Sequence, residues 1–371
     1  MSVPRLSIIV PVYRDAIALK ILINSLASQK DISFEIIVVE GLYQNDKESL
    51  KSDVFEIAKA GNCRYLSASL GRGHQMNMGR SIANAPMLLF LHADSEFSSP
   101  FQLRDAIQEI EKKELWCAGH FPLRFRSDST PKSLAFLEYK SQTNRPYTVN
   151  GDQGLMISTF FFDEIDGFAT EYSFLEDQNI AEKIRNMGTM ILFAHPLITS
   201  PRRFEAEGFL RRYFLMMVIM GVYRTHNYSF FELAPPIYVT QEDAKLLDLS
   251  PFFGAIKELQ STMGFRSTLK MWLELGVFAR ENIWQVFLFG DFIFSQDEPQ
   301  FLDLYDSFFD ERLDNLFIDA VFAFGVFSGV TQTAPLLYNI IEKTKMSSKK
   351  FGAFRKKVPL FSPFSINLFR K

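Results

Sequence analysis

Only two cysteines, Cys63 and Cys117, occur in 371 residues, far apart and in no metal-ligand spacing. That scarcity fits a reducing cytoplasm and points away from a thiolate metal site. The longest strongly apolar run, Tyr213 to Tyr223, falls well short of the roughly 20 residues that a bilayer crossing needs. The opening Met1-Ser-Val-Pro-Arg-Leu6 has no basic segment leading into a long apolar one, so no secretory signal is expected. A formal net charge of -3 gives no overall attraction to nucleic acid, which is not expected as a partner. No internal repeat or low-complexity tract is present. Nor does a G-x-G-x-x-G follow the first apolar strand, where Pro11-Val-Tyr-Arg14 stands instead, which argues against a dinucleotide-binding oxidoreductase or a methyltransferase.

What remains is a globular composition, 47% hydrophobic and 22% charged, in a chain long enough for two domains or one domain with an appendage. Strand-like segments at Leu6–Val12, Phe34–Val39, Arg64–Leu66 and Met87–Leu91 alternate with helical spacing at Ile17–Gln29, Lys47–Ala60 and His74–Ala85. Such alternation predicts βαβ units around a mostly parallel sheet, with the strand ends on one side. Further elements are expected at Phe101–Glu114 (helix), Trp116–Phe125 (extended), Thr130–Asn144 (helix), Gly154–Ser158 (extended), Asp177–Met187 (helix) and Thr189–Ala194 (strand). By about Gly208 the sheet-forming pattern ends. Phe209–Val222, Phe252–Met263, Thr268–Phe294 and Phe301–Phe327 then read as long helices carrying many of the 39 phenylalanines. The expected organisation is 1–208 as an α/β domain, 209–342 as a helical extension and 343–371 as a basic tail.

Chemistry-bearing residues cluster at the junctions that follow strands or open helices, where ligands bind in open α/β sheets. Met87-Leu-Leu-Phe-Leu-His-Ala-Asp94 runs an apolar strand into one carboxylate, a candidate metal ligand or a cap of the next element. Gly71-Arg-Gly-His-Gln-Met-Asn-Met-Gly79 opens a helix whose N–H groups could receive phosphate, or is a plain turn. Glu176 and Asp177 open another helix, as general base or as N-cap. Arg202 and Arg203 offer two guanidiniums to a diphosphate, or form a solvated pair. His195, at the end of an expected strand, is a candidate third metal ligand.

The pattern across residues 6 to 208 resembles the family-2 glycosyltransferases of the GT-A fold. Ser7-Ile-Ile-Val-Pro-Val-Tyr13 looks like their first strand, Ile36-Ile-Val-Val-Glu-Gly41 like their second, and His92-Ala-Asp94 like their Asp-x-Asp motif. Six strings resemble one subfamily, the transferases associated with radical-SAM and selenium-domain proteins and linked to arsenosugar biosynthesis: 71–77, 89–94, 151–153, Asp166-Gly-Phe168, Leu175-Glu-Asp177 and Arg202-Arg-Phe204. The resemblance implies an inverting transferase that moves a sugar from a nucleotide-diphospho-sugar to an acceptor hydroxyl. Pro11, Val12, Tyr13 and Asp15 would flank the nucleoside, Glu40 would accept from its base, and Gly71, Arg72 and Asn77 would serve the phosphates. Asp152 and Gln153 would shape the sugar or acceptor pocket, and Asp177, with Glu176 behind it, would be the base. A divalent cation, Mn²⁺ or Mg²⁺, would sit on Asp94 with His92 and His195. Two departures stand out: Arg14-Asp15 replaces the usual Asn-Glu, and Glu40 replaces an Asp.

The alternatives are a degenerate GT-A domain that binds nucleotide-sugar or a partner without turnover, and a GT-A-like nucleotidyltransferase. The latter lacks its Lys-containing glycine loop here. In the second half an acidic run from Asp291 to Asp319, broken only by the base Arg312, precedes a tail, Lys343 to Lys371, with nine Lys or Arg and no acid. Interleaved phenylalanines make that tail a candidate for peripheral contact with an anionic membrane face. The helical half is expected to cover the acceptor side or to mediate homodimer or membrane contact.

Overall fold

The computed structural model describes residues 3–42, 52–126, 131–170, 175–227, 229–231, 246–294, 299–309 and 316–328. It divides into two compact units, residues 1–130 with 137–201, and residues 131–136 with 202–371.

The first unit begins with β1 (Leu6–Val12), α1 (Ala16–Ala27), β2 (Phe34–Leu42), α2 (Asp53–Ala60), β3 (Arg64–Ser69), α3 (Arg72–Ile82) and β4 (Met87–Phe90). It continues through β5 (Glu96–Phe97), α4 (Gln102–Glu111), β6 (Cys117–His120), β7 (Leu123–Phe125), α5 (Lys132–Ser141, cut by the division), β8 (Leu155–Ser158), α6 (Thr159–Glu164), α7 (Glu176–Met187), β9 (Thr189–Leu192) and β10 (Leu197–Thr199). Seven strands form one sheet in the order β3-β2-β1-β4-β8-β6-β9, and β5-β10-β7 form a small second sheet. The fold is mixed α/β of the GT-A type, a largely parallel sheet flanked by helices, with further helices after it. β1 explains the burial on both faces: Ile8, Val10 and Val12 point into the cluster built with α1, α2 and α4, whereas Ile9 points into the cluster built with α3, α6 and α7. A strand covered on both sides favours apolar residues on both faces, which is why β1 lacks polar–apolar alternation apart from the hydrogen-bonded Ser7.

Two topological facts place the site. The chain winds outward from β1 through β2 to β3 and then returns to β4 on the other side of β1, so the strand order reverses between β1 and β4. A crevice opens beyond strand ends at such a switch point. Between β4 and β6 lies the antiparallel β8, paired Phe90↔Leu155 and Met87↔Ser158. The start of β8 therefore meets the end of β4.

Among the described residues the second unit is helical: Arg202–Glu207, Phe209–Arg224, Ser250–Met263, Phe265–Glu281, Trp284–Phe294, Gln300–Leu304, the wide turn Tyr305–Phe309 and Leu316–Ser328. The single helix expected over Thr268–Phe294 is two, separated at Asn282-Ile283, where the Asn282 N–H bonds back to Phe278 and Ala279. The helix expected over Phe301–Phe327 is likewise interrupted; part of that span, and the tail 343–371, lie outside the described residues. No described helix is long and apolar enough to cross a membrane.

Candidate active site

Six segments converge at the carboxyl rim of the large sheet: the end of β1, the end of β2, the start of α3, the loop Leu91–Asp94, the turn Gly151–Gln153 and the start of α7. Sequence explains how each is held. In α3, Gly71 at the N-cap has φ +144°, which side chains disfavour, and Gly79 lies so close to β1 that a Cβ would come within 2.4 Å of Ile9 Cγ2. Gln75 is buried and donates from Nε2 to the carbonyls of Val12 (3.1 Å) and Val39 (2.8 Å), tying the ends of β1 and β2 together. Asn77 donates to the Phe168 carbonyl at 2.8 Å and accepts from the Phe168 N–H at 3.0 Å. Its amide thus completes a backbone-like pair with the Asp166-Gly-Phe168 loop, so the expectation of a phosphate contact from Asn77 gives way to loop anchoring.

Arg72 follows Gly71 and sends Nε to Glu176 Oε1 at 2.7 Å, while Nη1 lies 3.3 Å from His92 Nε2. A guanidinium only donates, so His92 Nε2 is the acceptor in that contact. Glu176 is only 3% exposed. Burial raises its carboxyl above the ordinary range, Arg72 pulls it back down, and the neighbouring Asp177 raises it again.

Asp177 accepts from the Gly151 N–H through Oδ2 at 2.7 Å and from the Gln178 N–H through Oδ1 at 2.8 Å. It therefore clamps the Gly151–Gln153 turn while keeping lone pairs for a proton. Asp152, on that turn, is half-buried, but its Oδ1 is sealed from solvent and has no hydrogen-bond donor. Burial first, then the charges of Asp94 and Asp177, push its carboxyl up to about 7. Gln153 turns the other way: Nε2 donates to the Thr148 carbonyl and Oε1 meets His120 Nδ1 at 2.9 Å in a buried network. It supports the turn from behind.

On the nucleoside side, Pro11 and Val12 are buried in β1 and Tyr13 is half-buried with the Arg14 guanidinium 5.0 Å from its ring centroid. Asp15 caps α1, accepting from the Ala18 N–H at 3.2 Å. Glu40 is buried beside the end of β1 and its Oε2 accepts from Ser52 Oγ (2.6 Å) and Tyr65 Oη (2.5 Å).

His195 does not join Asp94. Its Nε2 faces Asp105 Oδ2 of α4 at 3.4 Å, and the antiparallel register of β10 on β5 carries it past Phe97 to the end remote from Asp94. Among the described residues, no three of His, Cys, Asp and Glu gather tightly enough to form a metal cage. Mg²⁺-type binding uses one or two carboxylates and completes its shell with substrate phosphates and water. The orphaned Oδ1 of Asp152, beside the charge of Asp94, is the structural mark that suits such a cation. Arg126, not expected from the sequence, holds the loop from outside: it pairs with Glu96 and reaches the Asp94 carbonyl at 3.4 Å. A lone Arg just after a short strand carries no sequence signal. Arg202 and Arg203 are exposed and open the first helix of the second unit.

Residues 7–163 match the family model described as glycosyl transferase family 2. The match covers less than half of the chain. That span holds Asp94 and Asp152 but stops before Glu176 and Asp177, which the fold adds to the same rim. No curated protein matches the chain. Similar solved structures include S. aureus TarS, at 17% identity over 81% of this chain and 55% of that one, with a TM-score of 0.43. The chain thus spans about half the length of that protein. TarS 1-349 in complex with UDP-GlcNAc is similar at 17% identity over 82% of this chain and 92% of that one (TM-score 0.44), and its UDP complex at 18% identity over 90% and 91% (TM-score 0.43).

Proposed function

We propose that the glycosyltransferase domain moves a sugar from a nucleotide-diphospho-sugar to an acceptor hydroxyl with inversion. The observation that carries this reading is the meeting of Asp94, Asp152, Glu176 and Asp177 at the rim beside the β1/β4 switch point. Asp177 takes the proton from the acceptor hydroxyl as its oxygen attacks the anomeric carbon. The bond from that carbon to the diphosphate breaks, and the electron pair leaves with the diphosphate oxygen. Asp94 would hold a divalent cation, which supplies positive charge to the departing diphosphate. Glu176, fixed by Arg72, sets the negative field beside Asp177. The ends of β1 and β2, locked by Gln75, form the floor on which a nucleoside would lie.

Two features of the chain bear on finer readings. The six subfamily strings support the radical-SAM-associated group, and the basic aromatic tail supports peripheral membrane contact on the cytoplasmic face. Because Arg72 is held by Glu176, a domain that binds nucleotide-sugar without turnover is the competing reading. The deciding assay measures nucleoside diphosphate release from UDP-, GDP- and dTDP-sugars with Mn²⁺, for wild type and Asp177→Asn. We expect Asp177→Asn to lower kcat by about 10²- to 10⁴-fold. Equal release from both proteins overturns Asp177 as the base. No release from any donor by the wild type overturns turnover and leaves binding alone.

A further inference from the structure

We infer that Asp152, and not His92, is the second protein ligand that joins Asp94 around a divalent cation. The inference rests on the glycosyl-transfer reading and names the donors of its cation.

Topology brings the two aspartates together. β8 runs antiparallel to β4 with Leu155 opposite Phe90. The turn entering β8, Gly151–Gln153, therefore lies beside the chain leaving β4, Leu91–Asp94, although long stretches of sequence separate them. The negative charges of Asp94 and Asp177 both act on Asp152, whose Oδ1 is shut off from solvent without a donor. An anionic oxygen in that position is costly unless a cation or a proton satisfies it. Satisfying it with a cation also relieves the repulsion from Asp94.

His92 is disqualified by what it already does. Its Nε2 accepts from Arg72, and the ring lies against the turn, where a Cβ on Gly151 would come within 2.5 Å of that same nitrogen. The imidazole thus packs against the segment that carries Asp152 and ties it to Arg72, which is tied in turn to Glu176. Where an Asp-x-Asp motif would place two carboxylates two residues apart, this chain places one in the loop leaving β4 and one in the turn entering β8. Two hard oxygen donors, with diphosphate oxygens and water completing the shell, suit Mg²⁺ or Mn²⁺.

The test titrates Mn²⁺ alone into the full chain, reading bound ion by the loss of the free-ion electron paramagnetic resonance signal. Wild type, Asp94→Asn, Asp152→Asn and His92→Ala are compared, with the Mn²⁺-induced rise in Tm as a second readout. Asp152→Asn and Asp94→Asn should each weaken Mn²⁺ binding at least tenfold and abolish the Tm rise. His92→Ala should change it less than threefold. Unaltered Mn²⁺ binding in Asp152→Asn, or a loss in His92→Ala equal to that in Asp94→Asn, overturns the assignment. Should Asp152→Asn fail to fold by circular dichroism, Asp152→Glu replaces it, and an unchanged Mn²⁺ spectrum and affinity there overturns the assignment equally. A wild type that binds no Mn²⁺ yet releases nucleoside diphosphate in EDTA overturns the cation site while glycosyl transfer stands. Normal Mn²⁺ binding without turnover overturns transfer while the site stands.

Discussion

Replacing Arg72 by Met removes the guanidinium that contacts a nearly buried carboxylate, Glu176, at 2.7 Å. Breaking a fully buried pair from one side costs about 3–5 kcal/mol. Arg72 is 41% exposed, so solvent screens the pair and a loss of about 1–2 kcal/mol is expected. Protonation makes the loss pH-dependent. Glu176 is already raised by burial, and a carboxyl raised in the folded state favours folding below its ordinary value and loses that contribution as pH climbs through the folded value. Without Arg72 it rises further, so the Arg72→Met penalty should be largest near pH 8 and fade toward pH 5. In a Glu176→Gln background the same substitution should cost less than half as much. Urea midpoints followed by circular dichroism at both pH values, for all four members of the cycle, supply the measurement. A penalty equal at pH 5 and pH 8, and undiminished in the Glu176→Gln background, would refute the ion pair as its source. It would point to the Arg72–His92 contact instead.

Substitutions at three further positions probe the scaffold by the same denaturation assay. Gly79→Ala forces a Cβ to within 2.4 Å of Ile9 Cγ2 and should cost about 1–3 kcal/mol by overpacking; a midpoint equal to wild type refutes the close approach. Asn77→Asp removes the donor to the Phe168 carbonyl and sets a carboxylate against it, so a loss of about 1–3 kcal/mol is expected, with Asn77→Ala no worse. Asp291→Ala strips both oxygens from the Phe301 and Leu302 N–H groups, each accepted at 2.8 Å. It should destabilise the second unit by about 1–2 kcal/mol, the usual range for a lost cap.

The α/β alternation was legible because β1, β2 and β4 are built mainly of apolar residues and are punctuated by glycine-rich or acidic junctions. Of the residues singled out at junctions, Asp94, Glu176 and Asp177 lie at the rim, and Asp152 joins them from the Gly-flanked turn before β8. Roles were less legible than positions. Gln75 and Asn77 belong to a motif that suggests phosphate, yet an amide serves backbone as readily as ligand, and residue type does not distinguish them. His195 pairs with Asp105 because β10 joins the small sheet, a partner choice that no local pattern records. The break at Asn282-Ile283 was hidden because apolar residues continue at helical spacing on both sides of it. The antiparallel direction of β8 was equally silent, since Leu155–Ser158 reads the same whichever way its neighbours run.

That reversed strand acts as a ruler. Gly151–Gln153 and Leu91–Asp94 come from separate stretches of chain, and their alignment depends on the pairing of four residues of β8 with β4. Sliding β8 by two positions keeps every side chain on its own face yet displaces Asp152 by about 7 Å. The sheet would still pack while the two aspartates lost each other. An insertion between Asp152 and Leu155 therefore resets the gauge on which the rim depends.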